Sequence, residues 1–176
     1  MIDVHILLMG NENKLLFDKC IGSLSGEPIS LHLCEGIAGD LQTARKNAIS
    51  KGTNEYIGWV DPDDEIVPGI YSKLLSYTPE YSFVWAKEEV RTYTTTDFSH
   101  MLYSFYRKTP HHIHIVHRDL IKPEYFEQHY RADVWTHNFM ATGKYLDEVG
   151  YIWNRYPNSN GRTHYETVIN NRTTKV

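Results

Sequence analysis

Glu55-Tyr56-Ile57-Gly58-Trp59-Val60-Asp61-Pro62-Asp63-Asp64 is the stretch on which the fold turns. Residues 56–60 are an apolar run of strand length, and they lead directly into three carboxylates within four residues. Like charges this close repel, by about 4 kcal/mol at roughly 4 Å in an effective dielectric near 20. A loop carries such a cluster if the charges face water or if a cation sits among them. A solvated turn accounts for the acids equally well, because Asp and Pro are common turn residues. The alternative is a hard divalent ion, Mg²⁺ or Mn²⁺, held by carboxylate and phosphate oxygens. Open parallel sheets place their ligands at the carboxyl ends of strands, where this cluster falls.

Outward from that stretch, strand and helix signals alternate. Residues 4–9 are continuously apolar, as in a strand covered on both faces. Asn13 can cap a helix whose apolar positions Leu16, Cys20, Ile21 and Leu24 recur at helical spacing. Ile29, Leu31 and Leu33 alternate with Ser30 and His32, predicting a strand. Asp40 is the next cap, with Leu41, Ala44, Ala48 and Ile49 on one helical face and Gly52 as the stop. After Pro68 comes a helix carrying Ile70, Leu74 and Leu75, then a strand over residues 82–86. This β-α-β-α-β-α-β order predicts an α/β fold with a mainly parallel sheet. Further on, strands are expected over 90–95, 113–117 and 151–153, and helices over 123–128 and 134–142. The stretch between residues 95 and 113 is rich in turn residues and gives no element.

The chain has 176 residues and a mass of 20.6 kDa, which suits one domain with a single sizeable core. Lys and Arg number 18 against 22 Asp and Glu, giving a net charge of −4, so a mainly electrostatic grip on nucleic acid is not expected. Aromatic residues make up 13%, and 13 of them are tyrosines, rings with a polar handle that suit clefts stacking sugars or bases. Cys20 and Cys34 are too few for a disulfide framework or a thiolate zinc site. The amino terminus has Asp3 where a secretory signal would need base, and its apolar run is too short to span a bilayer. A reducing, cytoplasmic setting is the simplest expectation.

Order and spacing go further than composition. Ala44-Arg45-Lys46-Asn47-Ala48-Ile49, Gly52, the acidic stretch from Glu55 to Asp64, Pro68 and Leu74-Leu75 together resemble the family 2 type of GT-A glycosyltransferase. Ala132-Asp133-Val134-Trp135 stands in the place of that family's Glu-Asp motif. Tyr151-Ile152-Trp153-Asn154-Arg155-Tyr156-Pro157-Asn158-Ser159 is similar to its Tyr-x-Tyr-Arg ending. The resemblance covers most of the chain. It implies one GT-A domain over 1–176, with a nucleotide-sugar-binding half (1–90), an acceptor-side half (91–176) and a small antiparallel part in the sheet.

The resemblance also implies roles. Asp61 would meet the donor ribose or a divalent metal (Mn or Mg), and Asp63 would ligate the metal that holds the diphosphate. Asp133 would be the catalytic base acting on an acceptor hydroxyl, with inversion at the anomeric carbon. Asn11, Glu35, Arg45 and Arg155 would contact the donor, a nucleotide-diphospho-sugar and in particular a UDP-sugar. The sequence departs from the family at several points. Met9-Gly10-Asn11 replaces Pro-x-Tyr-Asn, and Leu33-Cys34-Glu35-Gly36 replaces the acidic loop that seats the nucleobase. Asn47 is shifted by one residue, and Ala132 stands where the family has glutamate. These departures support a second reading, a nucleotide-sugar-binding or scaffold protein with weakened catalysis. A simple cation-binding loop is a third, although the acids lack the spacing of a calcium loop.

Other residues have plainer readings beside the functional ones. Asp133 could be a helix-starting acid, Arg45 a snorkelling side chain, and Arg155 a partner for phosphate or carboxylate. His111, His112, His114 and His117 cluster, and His112 and His114 would share one strand face that could hold a metal. His137 and His164 fall in no matching motif. Trp59 and Trp85 suit a core or cleft wall, and Trp135 suits stacking on a sugar. Cys34 lacks a histidine partner motif for nucleophilic chemistry. Asn171-Arg172-Thr173 fits a glycosylation sequon by chance.

Overall fold

The computed structural model describes residues 1–126 and 134–157. The chain runs β1 (Ile2–Leu8), α1 (Lys14–Ser23), β2 (Ile29–Glu35), α2 (Leu41–Ile49), β3 (Tyr56–Trp59), β4 (Glu65–Ile66), α3 (Ile70–Leu75), β5 (Phe83–Tyr93), β6 (Met101–Arg107), β7 (His114–His117) and β8 (Lys144–Arg155). Three 3₁₀ segments, Arg118–Leu120, Pro123–Phe126 and Val134–Phe139, lie between β7 and β8. Asn13 caps α1, its side chain accepting from Leu15 N and Leu16 N. Asp40 caps α2 through Thr43 N.

The strands make one mixed sheet in the order β2-β1-β3-β7-β5-β8-β4, with β6 also paired to β5. β1 pairs in parallel with β2 and β3, and β5 pairs in parallel with β8. The pairs β3–β7, β5–β7, β5–β6 and β4–β8 are antiparallel. Five strands (β1, β2, β3, β5, β8) therefore share one direction, and the short or edge strands oppose them. β8 follows β5 over Val84 to Thr92, whereas β7 pairs with Phe83–Trp85 and β6 with Glu88–Tyr93. The turn from β6 to β7, which carries His111 and His112, thus lies against the middle of β5.

Alternation along the strands splits the core in two. Ile2, Val4 and Ile6 pack with Cys20 and Leu24 of α1, Ile70, Tyr71 and Leu74 of α3, and Val84 and Tyr151. On the opposite face Ile57, Trp59, Phe83, Trp85 and Val116 pack with Cys34 and with Ala48 of α2. The sheet is thus covered by helices on both sides, as its apolar strands require.

Asp3, fully buried on β1, pins the α2 side. Its carboxylate accepts from Asn54 N (2.8 Å), Asn54 Nδ2 (2.7 Å) and Arg118 Nη2 (2.7 Å), and meets His32 Nε2 at 2.9 Å. Arg118 also donates to Ile49 O and Asn54 O. Burial raises the Asp3 carboxyl, but the bonds from His32 and Asn54 outweigh it and hold the group below its ordinary value. Gly52 closes α2 beside this hub with φ +82°, and a Cβ there would stand 2.3 Å from the Asp3 carboxylate. Only glycine fits.

Several elements differ from the sequence reading. The strands expected over 82–86 and 90–95 are one, β5, because the charged Lys87-Glu88-Glu89 run that reads as a break hides a fully buried Glu88. The unassigned stretch contains β6, an exposed strand on which no buried face imposes alternation. β8 is 12 residues long where three were expected, since its solvent-side Asp147 and Glu148 mask the pattern. Within 123–128 and 134–142 the described helices are 3₁₀ segments, the form that short helical pieces often take. No helix among the described residues is long and apolar enough to cross a membrane.

Candidate functional site

Beyond β3 the chain makes a tight turn closed by Asp64 N donating to Asp61 O (3.2 Å), with Pro62 in its second position, where a fixed φ favours turning. The three carboxylates then part company. Asp61 and Asp63 face a cleft of about 750 Å³, whereas Asp64 points inward and is buried.

β8 reads this turn group by group. The Tyr151 hydroxyl accepts from Asp61 N (3.1 Å) and donates to Asp64 Oδ2 (2.9 Å). Asn154 N donates to Asp64 Oδ1 (2.7 Å), and Asn154 Nδ2 donates to Asp63 O (3.1 Å). The Tyr156 hydroxyl donates to Asp63 Oδ2 (2.9 Å). Burial, with Asp61 nearby, raises the Asp63 carboxyl. Asp64 is raised well above its ordinary value by burial and by Asp63. The cost of burying these acids side by side is therefore built into the fold.

The facing wall carries His111 and His112. His112 Nε2 lies 3.4 Å from Asp61 Oδ2, and its ring stacks on Tyr151 with centroids 4.9 Å apart. Its Nδ1 faces Glu88 Oε2 at 3.5 Å, as does His111 Nδ1. Glu88 Oε1 accepts from His112 N and Ile113 N. Burial works against the charged form of both partners. The attraction between them wins, with His112 held well above the usual imidazole range and Glu88 well below that of a carboxylate. His112 therefore spans two carboxylates, Glu88 behind it and Asp61 in the cleft.

Of the residues singled out in the sequence, Asn11, Asp61 and Asp63 line this cleft together. Glu35, at the end of β2, is outside the lining, which includes its neighbour Gly36. Arg45 and Arg155 are buried and outside the lining themselves, with guanidinium carbons 5.4 Å from the Trp59 ring centroid and 5.3 Å from that of Trp153, which does line the cleft. Trp59 and Trp85 belong to the second core. His114 packs on Phe83 at 5.6 Å, so the histidines that meet are His111 and His112, which precede β7, rather than His112 and His114. Asp133, Ala132, the Trp135 side chain, Asn158, Ser159, His164 and the 171–173 sequon lie outside the described residues.

The sequence reading missed Glu88 altogether, since a lone glutamate in a charged run carries no local signal. Tyr151, Asn154 and Tyr156 fell in a recognised segment, but their partners in the acidic turn, some 90 residues away, could not be read from it.

No protein-family model matches the sequence, and no curated protein matches it. Solved structures do. S. aureus TarS 1-349 superposes with a TM-score of 0.60 at 13% identity, over 87% of this chain and 60% of that one. Its complex with UDP-GlcNAc gives 0.60 at 11% identity, over 92% and 60%. The complex with UDP gives 0.60 at 14%, over 89% and 61%. The chain thus spans about 60% of the length of these neighbours. At such identity the likeness concerns the fold alone, an α/β architecture with a mixed sheet similar to that of TarS.

Proposed function

We propose that this chain is a metal-dependent, inverting glycosyltransferase that moves a sugar from a nucleotide-diphosphate donor, a UDP-sugar, to an acceptor hydroxyl. One observation carries the reading: Asp61 and Asp63, at the carboxyl end of a central strand, both face a 750 Å³ cleft in a fold whose solved neighbours include UDP and UDP-GlcNAc complexes. The cleft is lined from both halves of the chain, by residues of 7–63 and of 111–156, as a site joining donor to acceptor requires.

The residues present suit a hard divalent cation. Asp61 and Asp63 both offer carboxylate oxygens to the cleft. When bound, Mn²⁺ or Mg²⁺ would neutralise charge gathering on the departing diphosphate. Asn11, which also lines the cleft, would offer its amide to the donor. His112, with Nε2 at 3.4 Å from Asp61 Oδ2, would orient that carboxylate toward the cleft. Asp133 is the proposed base that takes the acceptor proton, a contribution of typically 10²–10⁴-fold. Arg155 would act on the donor indirectly, by fixing Trp153 at the cleft wall.

The test is release of UDP from a panel of UDP-sugars, with and without Mn²⁺, followed by NMR of the anomeric configuration in any transfer product. Metal-dependent turnover with an inverted product supports the reading. Binding of UDP-sugars without turnover would favour the weakened, binding-only alternative raised by Ala132, and a retained configuration would overturn the single-displacement mechanism.

A further inference from the structure

Behind the acidic turn, three ligand atoms of a second kind converge. Glu88 Oε2, His111 Nδ1 and His112 Nδ1 lie within 4.8 Å of one another. The two ring nitrogens are 2.7 Å apart, and each is 3.5 Å from the carboxylate oxygen. A triangle with these sides has a circumradius of about 1.9 Å, so a point about 2.1 Å from all three atoms lies roughly 1 Å out of their plane. That is the ligand distance of a zinc-class ion with imidazole and carboxylate ligands.

Two details point the same way. Glu88 is fully buried, and its Oε1 is fixed by two backbone amides, leaving Oε2 aimed at the imidazoles with no hydrogen bond of ordinary geometry. A buried carboxylate oxygen so placed can ligate a metal that displaces the proton it shares with the imidazoles. The other nitrogen of His112, Nε2, faces Asp61 Oδ2. This is the carboxylate–imidazole arrangement that orients a metal-bound histidine from behind. His111 and His112 both line the cleft, so the remaining coordination positions open into it.

We infer that Glu88, His111 and His112 form a three-ligand site for a first-row transition ion of the Zn²⁺ or Co²⁺ class, distinct from the hard-cation position at Asp61 and Asp63. Two nitrogens and one carboxylate oxygen select a softer ion than an all-oxygen set does. Three protein ligands leave room for a water or an anionic oxygen from the cleft. The inference rests on the Glu88 cluster alone and stands whether or not the chain transfers sugar.

The test is titration of chelator-stripped protein with Co²⁺, read by its visible d–d absorption, with Zn²⁺ competition. One equivalent should bind, giving bands that Zn²⁺ displaces. His111→Ala and Glu88→Gln should each weaken binding tenfold or more, whereas Asp63→Asn should leave it within about twofold. His111 is partly exposed, so its variant tests the site even if Glu88→Gln fails to fold. Absence of Co²⁺ bands in the parent protein, or bands that survive His111→Ala and vanish in Asp63→Asn, would overturn the inference.

Discussion

The Tyr151 hydroxyl donates to Asp64 Oδ2 at 2.9 Å, joining residues 87 positions apart, and both groups are buried. The same oxygen accepts from Asp61 N, so one phenol holds the acidic turn at its first and last residues. Tyr151→Phe leaves the Asp61 amide and one Asp64 oxygen unpaired. A loss of about 1–3 kcal/mol in urea unfolding is expected. The turn should loosen with it, so Mn²⁺-dependent donor binding should weaken more than in a variant of equal stability mutated far from the cleft. Equal losses in the two would separate Tyr151 from the site.

Asp63→Asn should abolish the Mn²⁺-dependent rise in melting temperature without destabilising the apoprotein. The sign follows from the direction of the shift. A carboxyl raised on folding contributes most below its unfolded value, and that contribution is lost as pH rises through the folded value. At neutral pH the ionised Asp63 therefore costs stability, and a neutral isostere removes that cost. Calorimetry of both proteins at pH 7, with and without Mn²⁺, measures both effects, and an unchanged Mn²⁺ response would count against Asp63 as a ligand.

Asp3 works in the opposite sense. Its carboxyl is lowered on folding, so its contribution is complete above the unfolded value and disappears as pH falls through the folded one. Asp3→Asn leaves the half-buried Arg118 against a neutral partner, and a loss of about 1–3 kcal/mol at pH 7 is expected. Urea melts between pH 7 and pH 3 should show the parent approaching the variant as the medium turns acid. Parallel curves would show that the hub does not depend on this charge.

Gly52→Ala should destabilise by more than about 1 kcal/mol, since φ +82° and contact with the Asp3 carboxylate both oppose a Cβ. Gly26→Ala, with φ +81° but open space, isolates the backbone part. A difference between the two measures the clash, and equal costs would remove it.

Cys20 and Cys34 are buried, and burial raises both thiols, the Cys20 thiol also under the negative charge of Asp64 and Asp61. Neither should react with a thiol reagent until the chain opens, after which two equivalents should appear. Rapid labelling of native protein would show an opening next to the acidic turn, since Cys20 Sγ contacts Asp61 O.

The first half was legible because its signals are local. Asn13 and Asp40 cap their helices through amides two or three residues ahead of them, and the apolar run before Asp61 must be a covered strand wherever it lies. The second half was less so. Its strands are defined by neighbours distant in sequence, and Glu88 reads as solvent-facing until two backbone amides and two imidazoles arrive to cover it.

The sequence alone therefore determined the α/β order, the caps, and the placing of Asp61 and Asp63 at a strand's carboxyl end, because periodicity and turn chemistry act over a few residues. Tertiary structure decided that Asp64 turns inward to Tyr151 and Asn154, that His112 pairs with Glu88 and Asp61, and that Arg45 packs on the core Trp59 and Arg155 on Trp153 of the cleft lining. The reason is physical. Whether a charge faces water, a ring or another charge depends on which strands the sheet sets side by side, and in this chain the decisive neighbour, β8, lies some 90 residues beyond the turn it holds.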